Sequence, residues 1–187
     1  MDKKPTLIFI TGGVRSGKTS FAEQLAIQFA EREDLHLCYL ATGIVTDAEM
    51  QERVKSHQQT RANYQRQWET VEQAANLHII ERKFSQKDVV LLDCLTTLVS
   101  NELFLQSGSN WSKALLWELK EKIEAAIIKL SQTCRYFIIV SNEVFYEPMQ
   151  APLLLAYGWL LGSLHQTFVA RADKAYLVEN GLAIKKG

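Results

Sequence analysis

The sequence has only three cysteines among its 187 residues, and they stand far apart at positions 38, 94 and 134. No two of them have the spacing of zinc ligands, and an odd number so widely separated does not suggest a disulfide framework. Thiols in the core of a protein from a reducing compartment are the simplest interpretation. We therefore expect a cytoplasmic protein without a cysteine-based metal site.

An excess of charge of either sign is also absent. Lys and Arg together number 21, as do Asp and Glu, so the formal net charge is zero. Charge therefore does not indicate a surface for nucleic acid or for a membrane. The most apolar stretch, Pro148 to Leu164, is interrupted by Gly158 and Gly162 and falls short of the ~20 apolar residues of a membrane span. We expect a buried or interface helix there and no membrane span.

Internal repeats, low-complexity tracts and interdomain linkers are missing as well. Residues 1–187 are therefore predicted to form a single domain. The apolar run near the N-terminus ends at Thr11, which makes it too short for a signal peptide. A hydrophobic content of 47% and a charged content of 22% are those of an ordinary globular protein.

The strongest pattern that is present runs from Thr6 to Ser20. Its first part, Thr6 to Thr11, is rich in β-branched and aromatic residues, which predicts a buried strand. The residues that follow match the P-loop pattern G-x-x-x-x-G-K-[ST]. They are Gly12, Gly13, Val14, Arg15, Ser16, Gly17, Lys18 and Thr19. A helical period begins directly after them, so strand, loop and helix follow in the order that the motif requires.

This pattern predicts a site for a nucleoside triphosphate. Gly12 and Gly17 allow the backbone to approach a ligand closely, and successive N–H groups then surround phosphate oxygens. The positive end of the helix dipole adds to this attraction. Lys18 is expected to reach the β- and γ-phosphates, and the Thr19 hydroxyl is expected to bind Mg²⁺. A P-loop does not by itself identify the base or the acceptor.

Strands alternate with helices along the rest of the chain, which predicts an α/β fold with a mostly parallel sheet covered on both faces. Strands are predicted at 35–41, 88–93 and 136–140, with a possible short strand at 78–82. Helices are predicted at 20–32, 47–61, 95–105, 111–131 and 151–172. Segments 175–178 and 182–185 are predicted to form a hairpin around Asn180-Gly181.

Two further residues have the chemistry of a transfer site. Asp93 ends the buried run Val89 to Leu92, where a P-loop protein places the carboxylate that organises Mg²⁺; a helix N-cap is the alternative. His57 lies on a polar helix among Arg53, Lys55 and Arg61. An imidazole can attack phosphorus and form a phosphoramidate, although a surface histidine in a solvated helix face is the simpler alternative.

Polar residues elsewhere are weaker candidates. Trp68, Glu69 and Glu72 lie where a turn could meet the nucleotide, and a glutamate there could bind a ribose or a guanine edge. Asn142 and Glu143 follow a predicted strand, and the carboxyl ends of parallel strands meet at one ligand-binding edge.

These segments together resemble the family of bifunctional adenosylcobinamide kinases/adenosylcobinamide-phosphate guanylyltransferases. The resemblance rests on I-T-G-G-V-R-S-G-K-T-S-F-A-E from Ile10, Y-L-A-T from Tyr39, D-A-E-M-Q-E-R-V-K-S-H from Asp47, W-E-T-V-E from Trp68, L-L-D-C-L-T-T-L-V-S-N-E-L-F from Leu91 and V-S-N-E-V from Val140. It covers nearly the whole chain in order. It implies a RecA-like P-loop fold, a trimeric assembly, and a nucleoside triphosphate and a corrinoid as substrates.

The resemblance also implies two activities. A nucleoside triphosphate, ATP or GTP, phosphorylates the hydroxyl of the aminopropanol arm of adenosylcobinamide. GTP then guanylylates a histidine, and the GMP passes to the new phosphate to give adenosylcobinamide-GDP. The family's histidine corresponds to His57. Further nucleotide-contacting positions correspond to Ala41, Thr42, Gly43, Gln58, Gln59, Thr60 and Arg61, and the two carboxylates near the nucleotide correspond to Glu72 and Asp93.

This chain departs from the family pattern in its C-terminal part. The usual two adjacent histidines are Ser56-His57 here, and the family's G-x-G-[IV]-[VI]-P after Val144 is replaced by Phe145 to Pro148. The pattern R-x-F-R-D-x-x-G-x-x-N-Q becomes L-A-Y-G-W-L-L-G-S-L-H-Q, from Leu155 to Gln166. Acceptor binding or the subunit interface could therefore differ in this chain.

Two other functions are compatible with the sequence. One is a divergent P-loop kinase or NTPase that acts on another small hydroxyl acceptor. The other is a non-catalytic, nucleotide-binding regulatory protein whose apolar helix from Leu153 to Leu164 binds a partner.

Overall fold

The structure is a computed structural model that describes residues 4–44, 67–106, 111–143 and 151–186. The predicted helix at 47–61, including His57, lies outside the described residues, and so does the diverged segment Phe145 to Pro148.

Seven strands, four α-helices and one short 3-10 helix make up most of the described residues. The strands are β1 (Thr6–Gly12), β2 (His36–Ala41), β3 (Trp68–Glu72), β4 (Asp88–Asp93), β5 (Tyr136–Asn142), β6 (Lys174–Glu179) and β7 (Leu182–Lys186). The α-helices are α1 (Lys18–Glu33), α2 (Leu95–Phe104), α3 (Lys113–Thr133) and α4 (Pro152–Arg171). The 3-10 helix is Leu77–Ile80.

All seven strands belong to one sheet in the order β3-β2-β4-β5-β1-β6-β7. The first six strands are parallel, and β7 pairs antiparallel with β6. The carboxyl ends of the six parallel strands therefore meet along one side of the sheet, here termed the carboxyl edge. The P-loop strand β1 lies near the middle, where ligands of open α/β sheets bind.

Helices cover both faces of the sheet, as the alternating pattern predicts. Leu7 and Phe9 of β1 pack in the core formed with α2, α3 and α4, whereas Ile8 and Ile10 pack in the core formed with α1. Successive residues of a strand point to opposite faces, so both sets are buried. This two-sided burial explains why the strands are continuous apolar runs without polar alternation.

The C-terminal hairpin prediction is confirmed in detail. Its turn residues Asn180 and Gly181 have φ angles of 49° and 79°. Positive φ at both central residues is the geometry of a two-residue hairpin turn that Asn-Gly favours.

Two local predictions were wrong. Segment 78–82 is not a strand, because Asn76 turns the chain with a φ of 55° and Ile79 N donates to the Asn76 carbonyl, which closes a local 3-10 turn. Trp68 to Glu72 does not form a turn either. It is β3, an outer strand of the sheet with only Val71 fully buried, and this limited burial explains its weak apolar pattern.

Helix α4 has the length and composition of a membrane span, with a mean hydropathy of 1.2, and is the one such helix in the described part of the chain. A single helix of this kind is weak evidence, because core helices of soluble proteins have the same properties. One side of α4 packs in the protein core through Ala156, Leu160, Leu161, Leu164 and Phe168.

Candidate functional site

The loop between β1 and α1 has the backbone conformation expected of a phosphate-binding loop. Gly17 precedes α1 with a φ of 89°, and Arg15 has a φ of 61°. Ser16 N donates to the Gly13 carbonyl at 3.2 Å, which folds the loop back on itself. These conformations turn N–H groups toward the mouth of the loop, at the positive end of α1.

Close packing against the C-terminal hairpin determines the residue type at the start of the loop. A Cβ at Gly12 would lie 2.3 Å from the Val178 carbonyl oxygen and 2.7 Å from Ser16 Oγ. Gly181 N donates to the Ser16 carbonyl at 2.8 Å. The hairpin therefore supports the loop from the side, and glycine at position 12 is required by contact with backbone.

The Ser16 hydroxyl also belongs to this loop. It is buried and has no hydrogen-bond partner among the described residues. A buried hydroxyl normally has a partner, and a phosphate oxygen held by the loop could accept its hydrogen bond.

Lys18 is the charged group at the centre of the loop. Its side chain is buried, and Nζ donates to the Gly13 carbonyl at 3.0 Å. Burial lowers the Lys18 pKa from its ordinary value, while the nearby Cys94, Asp93 and Glu143 oppose this effect. Two carboxyl groups from the ends of β4 and β5 therefore lie within electrostatic range of the P-loop lysine.

The strand registers bring the predicted site residues to one edge. Ala41 lies opposite Asp93 on one side and opposite Glu72 on the other. Gly12 lies opposite Asn142, and Glu143 N donates to the Gly12 carbonyl at 3.3 Å. The ends of five strands thus lie in a row that includes the P-loop.

The Asp93 carboxylate is held by a residue that the sequence did not point to. Tyr39 donates its hydroxyl proton to Asp93 Oδ2 at 2.7 Å. Register places Tyr39 opposite Leu91, and both belong to the core on the α1 face. Asp93, two residues after Leu91, therefore points to the same face as the loop-helix unit.

Thr42 acts within the protein through its hydroxyl and its backbone. It is fully buried, its hydroxyl donates to the Cys94 carbonyl at 2.8 Å, and the same hydroxyl accepts from Cys94 N at 2.9 Å. Its backbone N–H donates to the Asp93 carbonyl at 3.2 Å. Gly43, the next residue, is exposed at the carboxyl edge.

The remaining predicted residues differ in what the structure says of them. Val14 and Arg15 are exposed at the tip of the loop, and Thr19 is half-buried in the first turn of α1. His57, Gln58, Gln59, Thr60 and Arg61 lie outside the described residues, so their predicted roles stay predictions.

Sequence reasoning missed Tyr39 and Asn101, which both bond to groups at this edge. A signal existed for Asn101, which lies in the block from Leu91 to Phe104 that carried much of the resemblance. For Tyr39 the signal was its position two residues before the end of β2, which is the same face as the end of β4.

A hydrated Mg²⁺ shared with a triphosphate fits the donors present. The Thr19 hydroxyl and the Asp93 carboxylate are hard oxygen ligands of the kind that Mg²⁺ prefers. No group of three or more His, Cys, Asp and Glu side chains able to hold a metal occurs within the described ranges. A cation bound by one or two protein oxygens, phosphates and water needs no such group.

Comparison with known proteins agrees with this architecture. Residues 8–186 match the family model described as cobinamide kinase / cobinamide phosphate guanyltransferase. The bifunctional adenosylcobalamin biosynthesis proteins CobU of Escherichia coli and Salmonella typhimurium are each 30% identical over 186 residues, covering 96% of this chain and 98% of the relative. The bifunctional protein CobP of Pseudomonas aeruginosa is 30% identical over 175 residues and covers 92% of each chain.

A solved structure supports the fold independently. This ATPase domain superposes with a TM-score of 0.50 at 14% identity, covering 94% of this chain and 70% of that chain. The likeness concerns the fold alone, and it agrees with the predicted RecA-like P-loop architecture.

Proposed function

The chain belongs to the cobinamide kinase / cobinamide phosphate guanyltransferase family, and from this membership we infer that it is a transferase of cobalamin biosynthesis with two successive activities. In the first, the hydroxyl of the aminopropanol arm of adenosylcobinamide attacks the γ-phosphorus of a nucleoside triphosphate. The γ-phosphoryl group leaves the nucleoside diphosphate, and the hydroxyl proton is released. In the second, GMP from GTP is transferred to the new phosphate through a guanylylated histidine.

The observation that carries this proposal is the position of Lys18 among the loop carbonyl of Gly13 and the carboxyl groups of Asp93 and Glu143. A buried ammonium group with donors of the loop around it stabilises the charge that develops on phosphate oxygens during transfer. The loop amides and the start of α1 add further positive potential. Lys18 and the loop therefore bind the triphosphate in both half-reactions.

Mg²⁺ fits as the accompanying cation, with Thr19 and Asp93 as its protein ligands. When bound, it would neutralise charge on the phosphate oxygens. The Tyr39 hydroxyl orients the Asp93 carboxylate through the 2.7 Å bond to Oδ2. Thr19 is presented by the first turn of α1, directly after Lys18.

His57 is the proposed nucleophile of the guanylyl transfer. Its ring nitrogen attacks the α-phosphorus of GTP, the bond between the α-phosphorus and the bridging oxygen breaks, and pyrophosphate leaves. An oxygen of the acceptor phosphate then attacks the same phosphorus, the P–N bond breaks and the histidine is restored. The imidazole must be neutral to attack, which suits a histidine with an ordinary pKa near ~6.5. Gln58, Gln59, Thr60 and Arg61, with Ala41, Gly43 and Glu72, are the proposed nucleotide contacts beyond the loop.

We further propose that the protein assembles as a homotrimer in the cytoplasm, both by resemblance to the family. Light scattering after size exclusion tests the assembly directly. A trimeric mass supports it, and a monomeric mass at micromolar concentration contradicts it.

Incubation with GTP labelled at the α-phosphate tests the two-step function. The wild type is expected to retain label that is lost in acid and survives base, because a phosphoramidate has this stability, and the His57→Ala variant is expected to retain none. His78, which is exposed on the 3-10 helix, provides the matched control, and His78→Ala should label like the wild type.

The other outcomes identify the alternatives. A folded wild type that takes no label with Mg²⁺ present contradicts the guanylyl transfer. Phosphorylation of another hydroxyl compound without labelling would indicate a divergent kinase. Nucleotide binding without turnover of either kind would indicate a regulatory protein.

A further inference from the structure

Helix α2 carries an amide that joins two loops of the carboxyl edge. Asn101 Nδ2 donates to the Thr42 carbonyl at 2.8 Å and to the Ala74 carbonyl at 2.9 Å. Thr42 follows β2 and Ala74 follows β3, so one side chain ties together the ends of two neighbouring strands. Both hydrogens of the amide are used, and both acceptors are backbone carbonyls, which remain in place whatever side chains the loops carry.

The next residue holds the same region from the other end. Glu102 is buried, its Oε1 accepts from Asn76 N at 2.7 Å, and its Oε2 accepts from Lys122 Nζ at 2.5 Å. Lys122 also donates to Asn76 Oδ1 at 2.6 Å. The turn from residue 73 to residue 76, directly after Glu72, is thus fixed at Ala74 by Asn101 and at Asn76 by Glu102.

Helix α2 is itself fixed relative to the site. It begins two residues after Asp93, and Thr42 bonds to both Asp93 and Cys94 through its backbone N–H and hydroxyl. The segments that end β2 and β3 therefore take their positions from the unit formed by β4 and α2. That unit also carries Asp93, whose carboxylate acts electrostatically on the P-loop lysine.

We propose that Asn101 is a positioning residue for the nucleoside part of the nucleotide. Its amide sets the separation between the loop after β2, which presents Ala41 to Gly43, and the loop after β3, which follows Glu72. The phosphates are held separately, by the P-loop. This inference rests on the proposed nucleotide site, because it assigns the two loops to the ribose and base of the same ligand.

The physical argument is one of unsatisfied groups. If the amide is removed, two backbone carbonyls lose their donors, and each buried acceptor left without a partner is costly. The loops then move to find other donors, and the spacing between Gly43 and Glu72 changes. Binding of the nucleoside weakens, whereas the P-loop, which is built on β1, α1 and the hairpin, keeps its shape.

Two ligands separate these effects. Inorganic tripolyphosphate is the probe for the P-loop alone, and a non-hydrolysable GTP analogue is the probe for the whole site; calorimetry gives the Kd of each. For Asn101→Leu we expect the Kd of the GTP analogue to rise about tenfold, the order of one lost buried hydrogen bond. The Kd of tripolyphosphate should stay within about twofold of the wild type.

Gln86 provides a matched control at the opposite edge of the sheet. Its Nε2 lies within 3.2 Å of the carbonyls of Gln132, Thr133 and Cys134, so it too joins an amide to backbone acceptors. Gln86→Leu should leave both Kd values unchanged. An equal rise in the GTP-analogue Kd in both variants, or no rise in Asn101→Leu, would overturn the proposal.

The Asn101→Asp variant covers the case in which the leucine variant fails to fold. The introduced carboxyl faces two carbonyl oxygens, which raises its pKa because the charged form is disfavoured. Its protonated form restores one hydrogen bond, so the Kd ratio of variant to wild type should fall as pH falls. A ratio independent of pH would contradict the positioning role.

This experiment is separate from the test of the proposed function. If the wild type binds the GTP analogue but takes no label from GTP, the two-step activity fails and the Kd comparison still decides the role of Asn101. If the wild type binds tripolyphosphate and the GTP analogue equally well, the nucleoside has no contacts to position, and the proposal on Asn101 is overturned.

Discussion

The Tyr39 hydroxyl donates to Asp93 Oδ2 at 2.7 Å across two neighbouring parallel strands. Tyr39 is buried and packs edge-to-face against Trp68, with ring centroids 6.1 Å apart. The aromatic ring is therefore held by the packing, and its hydroxyl fixes one oxygen of the carboxylate. The other oxygen is oriented toward its ligand by the same bond.

Removing this hydroxyl should impair the use of Mg²⁺ more than it impairs the fold. A hydrogen bond to a charged group contributes on the order of 1.5–3 kcal/mol, and its loss lets the carboxylate rotate. We expect Tyr39→Phe to lower kcat about tenfold at subsaturating Mg²⁺, with partial recovery at high Mg²⁺. Titration of the kinase rate with Mg²⁺ measures this.

Tyr136→Phe is the matched control for that change. The Tyr136 hydroxyl donates to Glu33 Oε1 at 2.8 Å, and Tyr136 begins β5 at the edge of the sheet opposite to the site. It should lose stability without a change in Mg²⁺ dependence. Equal Mg²⁺ curves for Tyr39→Phe and the wild type would contradict a role for Tyr39 in orienting Asp93.

The two glycines at the start of the P-loop should differ in their tolerance of alanine. The Cβ of Gly12→Ala would lie 2.3 Å from the Val178 carbonyl, whereas a Cβ at Gly13 meets nothing within 4 Å in the described structure. We expect Gly12→Ala to destabilise the protein by about 1–3 kcal/mol, because backbone must move. Gly13→Ala should change stability by less than about 0.5 kcal/mol.

Thermal unfolding without nucleotide measures both glycine variants, so a direct effect on phosphate binding does not enter. A Gly12→Ala variant as stable as the wild type would show that the hairpin and the loop do not pack as described. A deficit in Gly13→Ala of the same size would show that space is not what distinguishes the two positions.

Replacing the P-loop lysine should separate activity from stability. Burial lowers the Lys18 pKa, which means that the folded state disfavours the charged ammonium group, so its removal relieves a cost below the ordinary lysine pKa. We expect Lys18→Met to lower kcat by about 10²-fold or more and to leave the unfolding temperature without nucleotide unchanged or higher.

Lys87, exposed at the opposite edge of the sheet, is the control, and Lys87→Met should be fully active. Kinase rates and calorimetric unfolding provide the two measurements. A Lys18→Met variant that is both inactive and strongly destabilised would indicate that the lysine has a structural role through its bond to Gly13.

His165 should make the protein sensitive to mild acid. The ring is buried beside Phe9, its Nε2 lies 2.8 Å from Ser141 Oγ, and burial lowers its pKa to about 4. The unfolded chain takes up a proton near its ordinary pKa of ~6.5, before the folded state does. Stability is therefore retained above that pH and lost as pH falls toward about 4, by up to roughly 3 kcal/mol.

His165→Asn removes this proton uptake while keeping a polar partner for Ser141. Urea unfolding at a series of pH values should show a shallower loss of stability between pH ~6.5 and ~4 in the variant than in the wild type. Identical pH profiles would contradict the buried, neutral state of the imidazole.

The site was predictable where local pattern and strand position agree. The loop from Gly12 to Thr19 follows an apolar strand and precedes a helix, so its place at the carboxyl edge needed no tertiary information. Asp93 was located in the same way, because it ends an unbroken apolar run. The error at residues 78–82 and the missed strand at Trp68–Glu72 have one cause, since an outer segment that buries few side chains leaves little periodicity to read.

Other parts of the site depend on contacts between residues far apart in the chain. Thr42 was expected as a nucleotide contact from resemblance, and the structure shows that its hydroxyl bonds to Cys94, 52 positions away. The bond of Asn101 to Thr42 spans 59 positions. Neither partner carries a local mark of the other, so no pattern in the sequence predicts the pair.

By itself, the sequence determined that this protein has a P-loop, a parallel sheet covered on both faces and an acidic residue at the end of a strand. Glycine spacing and apolar periodicity are local properties, and they set local backbone and burial. Only the tertiary structure decided that Tyr39 orients Asp93, that the Asn180-Gly181 turn supports the phosphate loop, and that Asn101 joins two strand ends. These relationships follow from the strand order, which brings distant segments together at one edge through long-range packing.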